Sequence, residues 1–505
     1  MTGNLFTQFV NAMPDSARSF VLTASGRVIT YGEVVSLSGQ MANALTALGL
    51  VPGDRVAVQV EKSPEALILY LACLRAGAVY LPLNTGYTLS ELEYFIGDSE
   101  PKIFVVSPEK ESSLAPMAEK LGVGATETLG VDGASGSLMQ RAREAEEAFP
   151  DIEAKPDDLA AILYTSGTTG RSKGAMLSHA NLGSNAVALK ECWKFTSQDV
   201  LLHALPIFHT HGLFVASNVI LSAGASMIFL PKFDPDEVFR LLPEATTMMG
   251  VPTFYVRLLQ DQRLTREATR HMRLFVSGSA PLLEETHRDW RTRTGHAILE
   301  RYGMTETNMN TSNPYDGDRV PGSVGFPLPG VSLRIADPET GDVLRKGEIG
   351  MIEVKGPNVF SGYWRMPEKT ESEFRSDGYF ITGDLGRVDE RGYVYIVGRN
   401  KDLIISGGYN VYPKEVENEI DVLPGVVESA VVGVPHPDFG ECVVAIVVPS
   451  KGGDISEESI LAPLGDKLAR YKLPKRVIFL DELPRNAMGK VQKALLRENY
   501  KDLFA

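Results

Sequence analysis

The segment Ala160-Ala-Ile-Leu-Tyr-Thr-Ser-Gly-Thr-Thr-Gly-Arg-Ser-Lys-Gly174 concentrates groups that bind anions. An apolar stretch runs into three glycines, five Ser/Thr hydroxyls, Arg171 and Lys173. Glycines let the backbone take positive φ and approach a ligand closely. Successive N–H groups and hydroxyls cradle phosphate oxygens, and a lysine adds a point charge. The spacing is not that of a Walker A loop; a plain surface loop has similar composition. A second segment, Glu300-Arg-Tyr-Gly-Met-Thr-Glu306, sets an aromatic, a hydroxyl and an acid around a glycine. Tyr302 suits stacking on a base and Glu306 suits Mg²⁺ near phosphates; an ordinary strand–turn–helix reads the same way. Ile381-Thr-Gly-Asp-Leu385, with Gly398-Arg399 beyond, offers two groups for sugar hydroxyls, or a β-turn. Pro484-Arg-Asn-Ala-Met-Gly-Lys-Val491 places Lys490 after a glycine in a basic tail, a pairing common in loops of no function.

These segments need elements to position them. Arg55–Val60, Ala78–Leu83 and Lys102–Val106 read as strands. Ser63–Ala76 reads as a helix, with Ser63 suited to the N-cap and Pro64 to the first turn. This alternation predicts an α/β fold with parallel-rich sheets packed by helices. The acidic stretch 122–158 reads as a separator. Val200–Pro231 carries no Asp, Glu, Lys or Arg. Its histidines, glycines and Pro206 favour two buried strands, a polar loop and a helix over a lipid span. Beyond Pro321 short strands and glycine turns predict a β-rich subdomain, with strands at Ser332–Ile335 and Gly350–Val354. Near Gly398–Asp402 a small α+β unit begins, with helices near Pro413–Ile420 and Ser456–Ala469 and strands at Ser429–Val434 and Val443–Val448. The expected division is a large N-terminal domain, residues 1–398, and a small mobile C-terminal domain, residues 399–505.

The chain has 505 residues, 44% hydrophobic and 23% charged, which excludes a disordered chain, a collagen and a coiled-coil rod. Three separated cysteines argue against a disulfide framework and for a reducing compartment. The N-terminus has neither charged nor long apolar regions of a signal peptide, so the expected location is the cytoplasm, with no membrane partner. The net charge of -14 disfavours nucleic acid. Residues 466–505 nevertheless hold ten basic and five acidic side chains. That tail is either a solvated face or a partner for an anion bound elsewhere on the protein.

In this order and spacing the four segments resemble the ANL superfamily of adenylate-forming enzymes, from about Val21 to Lys493. One position departs from the family's phosphate loop: Ser172 stands where proline is usual. The resemblance implies ATP, Mg²⁺ and, as co-substrate, coenzyme A. It implies that Thr165, Ser166, Gly167, Thr168, Thr169, Gly170 and Lys173 bind the triphosphate. Tyr302 and Gly303 would meet adenine beside Gly278, Ser279 and Ala280; Asp384 and Arg399 would hold the ribose; and Glu306 would hold the metal. Lys490, with His209 and Thr305, would be catalytic, and Lys401 would be the hinge of a rotating C-terminal domain. A lysine acetyltransferase and deacetylase acting on Lys490 would then switch the enzyme.

The same resemblance places the acyl pocket at the loop after Pro206, at Ser277–Ser279 and at residue 301. Here those positions supply His209, Thr210, His211, Ser279, Arg301 and Met304. A buried arginine is costly without an anion, and a second substrate carboxylate would pair with it bidentately. The bland alternative is an internal ion pair of Arg301 with Glu300 or Glu306. The combination resembles the malonyl-CoA synthetases of the superfamily, which implies malonate, with methylmalonate as second substrate. Other short acids, a carrier-protein thiol as acceptor, and a non-catalytic nucleotide binder remain open.

Overall fold

The computed structural model describes residues 3–165, 172–450, 455–465, 467–486 and 489–504. It is a mixed α/β protein built on two large parallel-rich sheets, a β-rich sheet and a C-terminal α+β unit.

The six-stranded sheet is parallel except for the last pair, in which Leu159–Thr165 and Lys173–Ser178 run antiparallel around the glycine-rich segment. The nine-stranded sheet has a parallel centre and antiparallel edges. The helix Pro64–Arg75 begins as expected, with Ser63 accepting from the Ala66 N–H and Pro64 at its first position. Every one of its residues is buried. A helix apolar on all sides belongs in an interior, and its side chains join one core with residues from both large sheets. Val200–Pro231 forms the two buried strands Val200–His203 and Ser226–Phe229 with helical turns between them. Among the described residues no helix is long and apolar enough to cross a membrane.

Three expectations need correction. Residues 122–158 are not a separator: Ala125–Thr128 is the edge strand of the six-stranded sheet, and helix Ser137–Glu144 buries Leu138, Met139 and Ala142. The acidic surface of that stretch masked a short apolar face. Glu300–Glu306 is not strand–turn–helix but a hairpin of Leu299–Met304 with Asn308–Ser312. The helix expected over Ser456–Ala469 spans only Glu457–Gly465.

The β-rich sheet contains Ser332–Ala336, Gly350–Lys355, Phe380–Val388 and Val394–Arg399. After Arg399 comes a short 3₁₀ turn, Asn400–Asp402. Strand Gly440–Pro449 is the centre of the C-terminal sheet, and Val426–His436 pairs along it as an edge. Its two apolar clusters draw only on residues from Ile404 onward.

Candidate active site

Strands Val200–His203, Thr247–Gly250 and Leu274–Ser277 lie side by side and parallel. Ligands of open α/β sheets gather beyond the carboxyl ends of such strands. Those ends carry His209–His211, Thr253 and Gly278–Ala280. Ser279 sits in the left-handed region at φ 71°, and its hydroxyl lies 3.1 Å from His211 Nδ1. Left-handed backbone at a non-glycine residue is strained and needs support.

Arg301 stands on the adjoining strand and is 4% exposed. A Cβ at residue 278 would fall 2.3 Å from its guanidinium carbon, so the glycine there makes room for the arginine. Neither acid proposed as an internal partner pairs with it. Glu300 faces His287 at 3.4 Å and the Gly322 N–H, while Glu306 accepts from Tyr363. Arg301 Nε and Nη2, Thr210 Oγ1, His211 Nε2 and Ser277 Oγ are buried with no hydrogen-bond partner among the described residues. Burial pushes the Arg301 guanidinium down to about 9, so it stays charged at neutral pH. Burial, then the charges of Lys490 and Arg301, push His209 down to about 3; burial and Arg301 put His211 well below its usual value. Arg301 is therefore a lasting cation among neutral hydrogen-bonding groups, a set that reads a carboxylate.

Behind the loop, the buried Lys62 amine lies 3.0 Å from His203 Nδ1, and His203 Nε2 lies 2.9 Å from the Gly212 carbonyl. A carbonyl can only accept, so Nε2 donates to Gly212 and, in the neutral ring, Nδ1 accepts from Lys62. These two residues steady the loop, and no local motif announced them.

Alternation along a strand sends neighbouring side chains to opposite faces. Tyr302 accordingly points away from Arg301, and its hydroxyl donates to Asp384 at 2.5 Å. Asp384 is not in a turn: it lies within Phe380–Val388, opposite Arg399 on the next strand, and the two pair at 3.0 Å. Gly303 admits no side chain, since a Cβ would lie 1.8 Å from the Asn308 carbonyl oxygen. Thr305 and Met304 are half-buried at the hairpin tip.

Glu306 is 6% exposed, and burial raises its carboxyl. It accepts from the Tyr363 hydroxyl at 3.0 Å, and the same hydroxyl lies 2.6 Å from Glu373. No group of three or more His, Cys, Asp or Glu among the described residues could hold a metal. Mg²⁺ at nucleotides takes one or two carboxylates and completes its shell with phosphates and water. A single buried Glu306 fits that ion.

Thr165 and Lys173 face each other across the paired strands, and the Ser172 carbonyl accepts from Tyr94 at 2.7 Å. Ser166, Gly167, Thr168, Thr169 and Gly170 lie outside the described residues. Lys173 pairs with Glu373 at 3.1 Å and lies over the Tyr363 ring. Tyr363 and Glu373 were missed: some sixty residues of chain separate them from Glu306, and neither stands in a pattern that marks it.

Lys490 reaches this site from the C-terminal unit. Its backbone N–H donates to Asn486 Oδ1 at 3.0 Å, while Gly489, at φ 73°, turns the chain beside Thr253. Burial, then the charge of Arg399, lowers its ammonium to about 8; Asp384, Glu306 and Arg301 also act on it. Lys401 is exposed on the 3₁₀ turn, next to Asp402, which pairs with Arg497 at 2.7 Å.

A family profile described as AMP-binding enzyme matches residues 6–364, and one described as AMP-binding enzyme C-terminal domain matches residues 415–490. Malonate–CoA ligase of Arabidopsis thaliana is 34% identical over 547 residues, covering 99% of this chain and 89% of that protein. Feruloyl-CoA synthase of an Amycolatopsis species is 37% identical over 484 residues, covering 94% of each chain. Overall identity therefore does not sort the acids, which leaves the pocket to do so. The crystal structure of ATP-bound MatB from Rhodopseudomonas palustris is 65% identical over the whole of both chains, with a TM-score of 0.98. Apo MatB from the same organism overlays at 0.87.

Proposed function

The chain belongs to the AMP-binding enzyme family, and from that premise we propose that it joins malonate to coenzyme A through a malonyl-adenylate, consuming ATP and releasing AMP and pyrophosphate. Methylmalonate is the second substrate. The observation that carries the acid is Arg301: a buried guanidinium with no carboxylate partner among the described residues, set among neutral polar groups. In the first step a malonate oxygen attacks the α-phosphorus, and the bond to pyrophosphate breaks. Arg301 holds the distal carboxylate, with His209, Thr210, His211 and Ser279 around it. Met304 limits bulk at the α-carbon. Tyr302, Gly303 and Ala280 line the adenine side, and Asp384 with Arg399 holds the ribose. Thr165, Lys173 and the intervening segment bind the triphosphate, Thr305 meets the α-phosphate, and Lys490 draws carboxylate and α-phosphate together. Glu306 would hold Mg²⁺, whose charge offsets that of the phosphates. Such catalysis is chiefly positioning and neutralisation.

In the second step the thiol of coenzyme A attacks the acyl carbon and AMP leaves, which needs no lysine at that place. We assign residues 1–398 to the nucleotide and acyl sites and 399–505 to a domain that carries Lys490 away between steps. The self-contained apolar clusters of the terminal unit support this division. Lys401 is the hinge; hinges are a few residues that absorb the φ/ψ change. Lys401→Pro fixes φ and should spare adenylation while slowing thioester formation about tenfold or more. Equal effects on both half-reactions, timed by single-turnover quench, would remove the hinge assignment. The three free cysteines suit the cytoplasm, where an acetyltransferase and deacetylase would act on Lys490.

The decisive assay is pyrophosphate release over a panel of acids, with and without coenzyme A. Malonate should head the panel, followed by methylmalonate, with acetate, propionate and ferulate far behind. A monocarboxylate preferred over malonate would overturn the reading. Thioester on a carrier protein but none on coenzyme A would reassign the acceptor.

A further inference from the structure

Glu373 has no role of its own in the proposed reaction, yet its carboxylate is tied to the phosphate-binding strand through Lys173 and to its own segment through Lys369 and Tyr363. Its Oε1 takes Lys173 at 3.1 Å and Lys369 at 2.6 Å, and its Oε2 takes the Tyr363 hydroxyl at 2.6 Å. The segment bearing Tyr363 runs along Lys173–Ser178: the Met176 N–H donates to the Gly362 carbonyl, the Ser361 N–H to the Met176 carbonyl and the Trp364 N–H to the Gly174 carbonyl. The Lys173 ammonium sits 4.2 Å from the Tyr363 ring centre. Lys173 is thus held by a carboxylate and an aromatic face, both on the chain that follows the nucleotide hairpin.

An ammonium bound to a carboxylate must loosen that bond to serve a phosphate. Glu373 is built to tolerate the loss, because Lys369 and Tyr363 still satisfy its charge after Lys173 departs. We propose that Glu373 is a positioning residue that docks Lys173 in the nucleotide-free protein, yields it to the triphosphate, and takes it back as pyrophosphate leaves. The proposal rests on the reading of Lys173 as a triphosphate ligand. A carboxylate that competes for the lysine weakens the binding of ATP and of pyrophosphate alike, and so speeds product release. A ligand can shift an equilibrium only by its differential affinity for the two states, so removing the docked state must tighten both ligands by the same factor. The pair is partly exposed, with 19% and 18% of the two side chains accessible, which sets a modest effect of about fivefold.

The test compares Glu373→Gln, Lys173→Gln and the double variant. The readouts are KM for ATP in the adenylation step and the inhibition constant of inorganic pyrophosphate. Glu373→Gln should lower both constants by about fivefold, and it should add nothing once Lys173 is glutamine. A residue that merely props the fold would raise both constants, and that result, or no change at all, would overturn the proposal. If Lys173→Gln leaves both constants unaltered, the lysine does not bind the triphosphate, and the proposal falls together with that reading. If Lys173→Gln weakens both ligands while Glu373→Gln tightens neither, the docking role alone is lost. Glu373→Asp, which keeps the charge but draws it back by one methylene, should move both constants the same way and serves if the glutamine variant does not fold.

Discussion

Arg301→Ala should lower kcat/KM for malonate by at least two orders of magnitude while leaving acetate and propionate far less affected. Removing one member of a desolvated charge pair costs on the order of 3–5 kcal/mol, or roughly 10²–10³-fold or more in binding terms. The arginine meets the conditions for so large an effect: it is 4% exposed and pairs with neither Glu300 nor Glu306. In the substituted protein the distal carboxylate of malonate enters a pocket without the guanidinium, where burial still disfavours the charged form of both histidines. A monocarboxylate brings no such charge and gains from losing an unpaired cation. Arg301→Lys keeps charge but loses the planar fork, so partial recovery is expected. Measuring kcat/KM for malonate, methylmalonate and propionate in each variant decides the matter. An equal loss on all three would make the arginine structural and leave the dicarboxylate reading without its main support.

Lys490→Ala should leave ATP binding nearly intact and lower the adenylation rate by about 10²–10³-fold, the usual loss of one preorganised charge donor at a transition state. Thioester formation from preformed malonyl-adenylate should change much less. Acetylating Lys490 removes the same charge and should have the same consequence. The lysine also sets a pH dependence. Burial holds its ammonium at about 8 in the free protein, so the active, protonated form is full below that value and is lost as pH rises through it. The kcat/KM profile for adenylation, which reports the free enzyme, should therefore fall above about pH 8. Bound carboxylate and phosphate stabilise the ammonium, so kcat should hold to higher pH. Equal loss in both half-reactions of Lys490→Ala, or a kcat/KM profile flat to pH 9, would contradict the assignment.

Much of this protein was legible in its residues because the relevant physics is local. The alternation of apolar strands and helices follows from periodicity between near neighbours, and the cap at Ser63-Pro64 needs only a few residues to specify it. The nucleotide segments were readable for the same reason, since a glycine, its hydroxyls and its lysine must be adjacent to act together. Arg301 could be picked out because the family resemblance places its position in the acyl pocket, where a charge is costly without an anion. What the chain did not disclose depends on which distant surfaces meet. Residues 122–158 looked like a separator because their two short apolar faces are recognisable only against the sheet edge and helix they cover. The hairpin at Gly303 is decided by Asn308–Ser312 pairing back on Leu299–Met304, a choice that local propensity does not make. Whether Arg301 had an internal partner, and whether Lys173, Tyr363, Glu373 and Glu306 would share one network, depended on side chains brought together from far along the sequence. Composition alone determined the chemistry available to this chain. Only the tertiary structure decided which charges remain unpaired, because pairing depends on distances of a few ångströms that long-range packing sets.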